Sequence, residues 1–303
     1  VIATTAAIIP TFNRATLLPR AIRSVFKQTH RPQELWVVDD ASHDGSREII
    51  LSLFSEAPEG LQCFYHRFEE NRGVSCARNF AAEATQCDWL AFLDSDDEWL
   101  PKRLQLQHQL LEKNWHPLVH GNECWYRKGE FVNQKKIHQK GGGDQFIRAL
   151  ELCIISPSAS LVDRKTFWQC GGFDTQFVVC EDYDLWLKLT LQFNVGFVEE
   201  TIINKFGGHS DQLSGTFKAM DRWRVESMLN LRTHYIPTHK LESYFTPEKE
   251  SALYREVSRK SEILSLGFAK HGDQEQSEYF KNLSMQFADK LSAMKEPTYC
   301  LPG

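Results

Sequence analysis

Trp89-Leu90-Ala91-Phe92-Leu93-Asp94-Ser95-Asp96-Asp97 is the stretch from which the rest of the chain is read. Its opening run of aromatic and aliphatic residues has the character of a strand covered on both faces. Three carboxylates in four positions then close it. Like charges at such short range raise one another's pKa and destabilise an interior strand end. A divalent cation removes the conflict. Magnesium and manganese take hard oxygen ligands, one or two carboxylates completed by substrate phosphates. The stretch therefore reads as the floor of a metal–nucleotide site. The blander alternative is a charged turn in which Asp97-Glu98 opens the next helix.

Outward from this strand the chain alternates between two periodicities. Residues 2–9 read as a strand, with Pro10-Thr11-Phe12-Asn13-Arg14 as the loop at its carboxyl end. Thr16 is placed to cap a helix that keeps Leu17, Leu18, Ala21, Ile22, Val25 and Phe26 at helical spacing. Residues 34–38 form a second strand ending in Asp39-Asp40-Ala41-Ser42-His43-Asp44-Gly45, and Ile49, Ile50, Leu53 and Phe54 mark the helix after it. Residues 61–66 form a third strand. Glu70-Asn71-Arg72-Gly73-Val74-Ser75-Cys76-Ala77-Arg78-Asn79 then runs into an Ala-rich helix to about Ala84. Strands alternating with helices through short connections predict a mostly parallel sheet with helices on both faces. Ligands bind such sheets beyond the carboxyl ends of the strands, where the loops at 10–14, 39–45 and 94–97 all fall.

Past Pro101 a helix carries Leu104 and Leu111, and residues 118–126 and 156–162 read as strands. Residues 127–143 hold Arg127, Lys128, Lys135, Lys136 and Lys140 ahead of Gly141-Gly142-Gly143. A mobile basic lid near phosphates or acceptor is the functional reading. A solvated loop is the plainer and preferred one. From Phe217 onward the pattern is helical, with core-facing stripes at Leu253, Val257, Leu264 and Phe268 and at Phe280, Leu283, Phe287, Leu291 and Met294.

Composition excludes several classes. The 303 residues are 42% hydrophobic and 25% charged, as in an ordinary globular chain. A net charge of −5 offers nothing to nucleic acid or to an anionic membrane as a whole. No apolar run is long enough to span a bilayer, and residues 1–10 lack a basic leader. The eight cysteines are scattered singly, with no C-x-x-C pair and no zinc spacing. A reducing, cytoplasmic setting follows.

Taken together, the loops resemble those of the family 2 glycosyltransferases of the GT-A fold. The resemblance covers about residues 3–215 and rests on five motifs in order. They are Ile9-Pro10-Thr11-Phe12-Asn13-Arg14, Val37-Val38-Asp39-Asp40-Ala41-Ser42-His43-Asp44-Gly45, Asn71-Arg72-Gly73 with Ala77-Arg78-Asn79, the D-x-D-like Asp94-Ser95-Asp96-Asp97, and Cys180-Glu181-Asp182-Tyr183-Asp184-Leu185-Trp186. It implies a GT-A domain at 1–215, with a nucleotide-binding half at 1–97 and an acceptor half at 98–215, and a helical extension at 216–303. The implied activity is inverting transfer of a sugar from a nucleotide sugar, a UDP-sugar by expectation, to a carbohydrate or glycolipid acceptor. The setting would be cytoplasmic, with peripheral contact at the inner face of a membrane.

The resemblance also distributes roles. Asp182 is the base, supported by Glu181. Pro10, Thr11, Arg14, Asp39, Asp40, Gly73, Arg78, Asp94 and Ser95 face the donor, with Asp40 accepting from a uracil-like N–H and Arg78 pairing with diphosphate oxygens. Asp96 is the surer ligand of manganese or magnesium, with Asp94 beside it and His209 as a further ligand or phosphate donor. The plain alternatives are helix capping by the acids at 181–184, surface charge at Arg72 and Arg78, and a solvated His209. A nucleotidyltransferase also combines a parallel sheet, carboxylates and magnesium, but would favour a Gly-rich first loop, which residues 10–14 lack. A haloacid-dehalogenase-type phosphatase carries its D-x-D at the first strand instead of the fourth. A catalytically silent nucleotide-sugar sensor or scaffold is the reading from outside enzymology.

Overall fold

The computed structural model describes residues 3–208 and 218–294. β1 (Thr5–Thr11) is buried along its whole length between two parallel neighbours, β2 (Glu34–Asp39) and β4 (Trp89–Phe92). β3 (Gln62–Arg67) extends this half, parallel to β2. Helices α1 (Leu18–Phe26), α2 (Ser46–Phe54) and α3 (Val74–Ala84) return the chain. Side chains alternate along β1 as the pleat requires. Ala7 and Ile9 join Leu18, Ile22, Val25, Ile50 and Leu53 on one face, while Ile8 joins Ala77, Ala81 and Phe92 on the other. A strand covered on both sides shows no polar face, hence its unbroken apolar run. Pro10 fits because it falls on the β4 side of the ladder. β4 ends opposite Ile8, so no neighbour asks Pro10 for an N–H.

The second half departs from simple alternation. β5 (Glu98–Trp99), α4 (Arg103–Lys113), β6 (Leu118–Arg127), β7 (Glu130–Val132), α5 (Phe146–Glu151), β8 (Leu161–Asp163), α6 (Arg164–Gln169), α7 (Glu181–Gln192) and β9 (Gly196–Gly207) follow in turn. The sheet order is β3-β2-β1-β4-β8-β6-β9-β5, with β7 hung on β6. β8 is antiparallel to both β4 and β6, and β5 to β9, whereas β6 and β9 run parallel. The sheet is thus parallel in its first half and mixed in its second, with helices flanking it, the GT-A-like arrangement expected.

Three local expectations are corrected. Thr16 does not cap α1: Leu17 holds the N-cap position without a side-chain bond, and Arg14 carbonyl oxygen takes the Leu17 and Leu18 N–H groups at 3.0 and 2.9 Å. Asp97-Glu98 enters β5 instead of opening a helix, and α4 begins only at Arg103. Residues 156–162 are not one strand. A 3₁₀ turn at Pro157–Ala159 precedes β8, which lets Ser158 reach the acidic loop described below.

The C-terminal helices share a core with the sheet domain. Leu253 and Val257 of the helix Pro247–Lys270, and Phe280 and Phe287 of the helix Gln274–Ala293, pack in one cluster with Phe146 and Leu150 of α5 and Tyr183, Leu187 and Leu191 of α7. Met294, read as part of the stripe, is exposed instead. Leu253 is fully buried, so Leu253→Ala should cost about 2–5 kcal/mol. Because the core is continuous, urea denaturation followed by circular dichroism should show one transition moved to lower urea. A separate early transition confined to the C-terminal helices would contradict the shared core.

Candidate active site

The first two strand ends are locked to each other. Asn13 (φ 52°) and Ala41 (φ 66°) turn their loops through left-handed backbone. Asn13 N donates to Ser42 Oγ at 2.8 Å, His43 N to Asn13 Oδ1 at 2.8 Å, and Ala15 N to Asp44 Oδ2 at 2.9 Å. Asp39 is fully buried, taking Ser42 N at 2.8 Å and the Tyr65 hydroxyl at 2.9 Å. Burial and this carboxylate together push the Tyr65 phenol up. Asp39 therefore orients the loop from within. Thr11 Oγ1, buried at the end of β1, has no hydrogen-bond partner among the described residues.

Asp40 closes β2 and holds the third loop. Its two carboxylate oxygens accept from Arg72 N at 2.6 Å and Gly73 N at 2.8 Å, while Asn71 Nδ2 donates to its carbonyl oxygen at 3.3 Å. Gly73 sits at φ 88°, ψ 159°, a conformation essentially closed to other residues, and starts α3. The sequence suggested Asp40 as a base-recognition group only. Its bonds to two backbone amides are a second task that residue type alone does not disclose. Each carboxylate oxygen retains acceptor capacity beyond one N–H.

The acidic loop after β4 divides its labour. Asp97 is buried and structural: Oδ2 accepts from Ser158 Oγ at 2.6 Å and Oδ1 from Phe206 N at 3.1 Å. Burial raises its carboxyl well above the ordinary range, against the pull of Lys205. Asp96 is half-buried, and its carbonyl oxygen receives the guanidinium of Arg20, which lies flat over the Phe206 ring at 3.5 Å. Burial, then the charge of Asp94, raises the Asp96 carboxyl, while Arg14 and Lys205 oppose the shift. Ser95 is buried between them. Among the described residues no three His, Cys, Asp or Glu side chains gather closely enough to hold a metal ion unaided. Asp94 and Asp96 fit a hard cation as two acids in electrostatic conflict, short of a full ligand set. His209 lies outside the described residues.

Arg78 joins this loop to α7. Its guanidinium is almost wholly buried, donating from Nη2 to Asp94 Oδ1 at 2.6 Å and from Nη1 to Glu181 Oε1 at 2.7 Å, with its Cζ 4.9 Å from the centroid of the Phe173 ring. Arg78, expected to meet a diphosphate, is held here as a buried fork between two carboxylates, which overturns the plainer reading of it as a surface charge. Burial and the neighbouring Asp182 push Glu181 up to about 7, against the pull of Arg78. Asp182, half-buried, accepts from Tyr183 N at 2.7 Å and from the Cys153 thiol at 3.3 Å. Cys180 at the N-cap has φ 64° and no side-chain cap bond, so the first-turn acids, Asp182 through Tyr183 N among them, meet this helix end instead.

Two residues that sequence reasoning passed over complete the site. Lys205 on β9 donates to Ser156 Oγ at 2.8 Å. Burial would lower its pKa, yet the charges of Glu123, Asp97, Asp94 and Asp182 prevail and raise it. A lysine inside Ile202-Ile203-Asn204-Lys205-Phe206 was the available signal. Cys153, one of the singly scattered cysteines, donates its thiol to Asp182. Lys140, counted with the basic loop, is also no part of a lid: it is buried 2.9 Å from Glu123 and donates to Ile154 carbonyl oxygen at 2.6 Å.

Removing the Arg78 fork tests this frame. Arg78→Met leaves two largely buried acids unpaired, at a cost of about 3–5 kcal/mol near neutral pH. Glu181, already held above the usual carboxylate range by burial and by Asp182, then lacks its opposing cation, so stability is lost as pH rises through its folded-state pKa and recovered as pH falls through it. Urea denaturation at about pH 8 and about pH 5.5 should show the larger deficit against wild type at the higher pH. Equal deficits would mean that the acids are not what Arg78 compensates.

Comparison with known proteins places this geometry. The family model described as glycosyl transferase family 2 matches residues 6–171. A UDP-Glc:alpha-D-GlcNAc-diphosphoundecaprenol beta-1,3-glucosyltransferase of Escherichia coli, WfgD, is 32% identical over 72% of this chain and 83% of its own length. Among solved structures, S. aureus TarS in complex with UDP-GlcNAc superposes with a TM-score of 0.65 at 16% identity, covering 93% of this chain and 92% of that one. The mannosyltransferase PcManGT of Pyrobaculum calidifontis, in complex with GDP-Man and Mn2+, superposes with a TM-score of 0.58 at 16% identity, covering 96% and 88%.

Proposed function

The chain belongs to glycosyl transferase family 2 and is a glycosyltransferase, and we propose that it moves a sugar from a UDP-sugar to a hydroxyl of a carbohydrate or glycolipid acceptor with inversion. The observation that carries this reading is the Arg78 fork, which ties the donor-side Asp94 to Glu181, next to Asp182. In this reading Asp182 takes the proton of the acceptor hydroxyl. The oxygen attacks the anomeric carbon from the side opposite the nucleotide diphosphate. The new glycosidic C–O bond forms as the bond to the diphosphate oxygen breaks, and the configuration inverts. Glu181, paired to Arg78, keeps the start of α7 in place.

On the donor side, Thr11, whose hydroxyl has no partner among the described residues, Asp40 and Gly73 surround the uracil and ribose, with Pro10, Asp39 and Ser95 shaping the walls and Arg14 set toward the phosphates. Asp96 and Asp94 would hold magnesium or manganese, with phosphate oxygens and, by the family resemblance, His209 completing the shell. Bound there, the metal supplies Lewis-acid stabilisation of the leaving diphosphate. WfgD is named for a UDP-Glc donor and a diphosphoundecaprenol-linked acceptor, and TarS was solved with UDP-GlcNAc. These names support a uridine donor and a lipid-linked acceptor here, worked on from the cytoplasmic face of a membrane. No helix among the described residues is long and apolar enough to cross one.

Two measurements test the reading. Asp182→Asn keeps the size of the side chain and removes its basicity. Turnover should fall by a hundredfold or more, on the order expected for loss of a general base, with UDP affinity little changed by calorimetry. Near-normal turnover would move the role to another acid. For the metal, UDP should bind more tightly with manganese than with EDTA, and Asp96→Ala should abolish most of that difference. Equal affinity in both buffers for the wild type would remove the metal from the reading.

A further inference from the structure

The ribbon at the end of β6 has no task in the chemistry above. β6 runs out to Arg127, turns through Lys128 and Gly129 (φ 52° and 84°) and returns as β7, which pairs with β6 alone. Two positive φ values in a two-residue turn make the tight hairpin that suits the natural twist of a strand pair. From 127 to 137 the chain exposes Arg127, Lys128, Lys135 and Lys136 against a single acid, Glu130, within a protein of net charge −5. The same segment exposes Phe131 (57%), Val132 (36%) and Ile137 (53%). A loop that merely meets water needs no such side chains.

The ribbon is held in place. Arg148 donates to the carbonyl oxygens of Ile137 and Gln139 at 3.1 and 3.2 Å, and Gln134 to that of Glu123 at 2.6 Å. Its turn adjoins the acidic loop. Lys128 N donates to Gly207 carbonyl oxygen at 3.1 Å, and the next residue back, Phe206, gives its N–H to Asp97. The tip therefore projects from the end of the sheet that carries the site. Tyr126 is stacked on Phe206 at 5.1 Å between ring centroids and meets the Phe131 ring edge-on at 6.0 Å.

We propose that this ribbon rests on an anionic lipid surface, with Phe131, Val132 and Ile137 entering the headgroup boundary and Arg127, Lys128, Lys135 and Lys136 meeting lipid phosphates. Basic side chains alone would fit any polyanion, and apolar ones alone any greasy groove. Their interleaving on one projecting element matches an interface that is charged outside and apolar a few ångströms in. The contact deepens the acceptor reading, since it sets the mouth of the site against the surface from which a lipid-linked acceptor would be taken. It depends on that reading for its purpose and not for its occurrence.

The test uses the whole chain, without donor or acceptor, in flotation with vesicles of phosphatidylcholine alone or mixed with phosphatidylglycerol. Binding should require phosphatidylglycerol and weaken with salt. Each lysine near such a surface contributes about fivefold in affinity, so Lys128→Glu with Lys135→Glu and Lys136→Glu should lower binding by on the order of a hundredfold. Phe131→Ser with Ile137→Ser should weaken it by roughly tenfold or more, with melting temperature and UDP titration unchanged. Failure of the wild type to float with the mixed vesicles overturns the proposal. So does undiminished flotation of the serine variant, which would mean a site for soluble polyanions. Neither result bears on whether the chain transfers sugar, which the Asp182→Asn measurement decides separately.

Discussion

A single guanidinium, that of Arg78, stands between Asp94 at the end of β4 and Glu181 at the start of α7. Taking three charged groups out of water is unfavourable, and a packed apolar cluster in their place would give equal or better stability. What the ion triad provides is geometry. Two directional bonds from a planar fork, each to a different carboxylate, set the distance and angle between a strand end and a helix start that are far apart in sequence. Donor-side acids and the proposed base thereby belong to one rigid frame, and neither can shift without unpairing a buried charge.

The same logic recurs at β2, one strand further out. Asp40 fixes two backbone amides of the 71–73 loop, and that loop begins α3, on which Arg78 is carried. Asp97 does the equivalent for the far half of the sheet by holding Ser158 and β9. Carboxylates at neighbouring strand ends thus act first as fasteners. Acids left less engaged, Asp94 at its second oxygen, Asp96 and Asp182, are the ones with capacity for metal, ribose or proton.

What could be read in advance follows from where period and packing agree. β1, β2 and β4 were legible because both faces are covered, so their apolar runs are continuous. The acidic loops were legible because carboxylates at strand ends demand an explanation. β9 was not, since Glu199 and Glu200 and the register shifts opposite 121–123 break any alternation. The burial of Arg78 and Lys140 was not legible for one reason: basic residues count as surface by default, and only contacts from distant segments bury them. Lys205 and the thiol of Cys153 act through neighbours from other elements, which no local pattern encodes.

The shared core of α7 and the C-terminal helices has a consequence for how the protein is made. On one side α7 sets Leu185, Trp186 and Leu189 against the sheet layer, and on the other Tyr183, Leu187 and Leu191 against helices that include Leu253 and Phe287. A nascent chain leaves the ribosome from its N-terminus, so every described member of the candidate site exists before the helices that cover the back of α7. Until they arrive, the helix bearing Glu181 and Asp182 has one apolar flank in water, and the Arg78 fork and the Cys153 thiol must hold its first turn. Completion of the last helix is then the event that makes the site rigid, and a chain interrupted within it would carry the whole set of acids without a firm seat for the base.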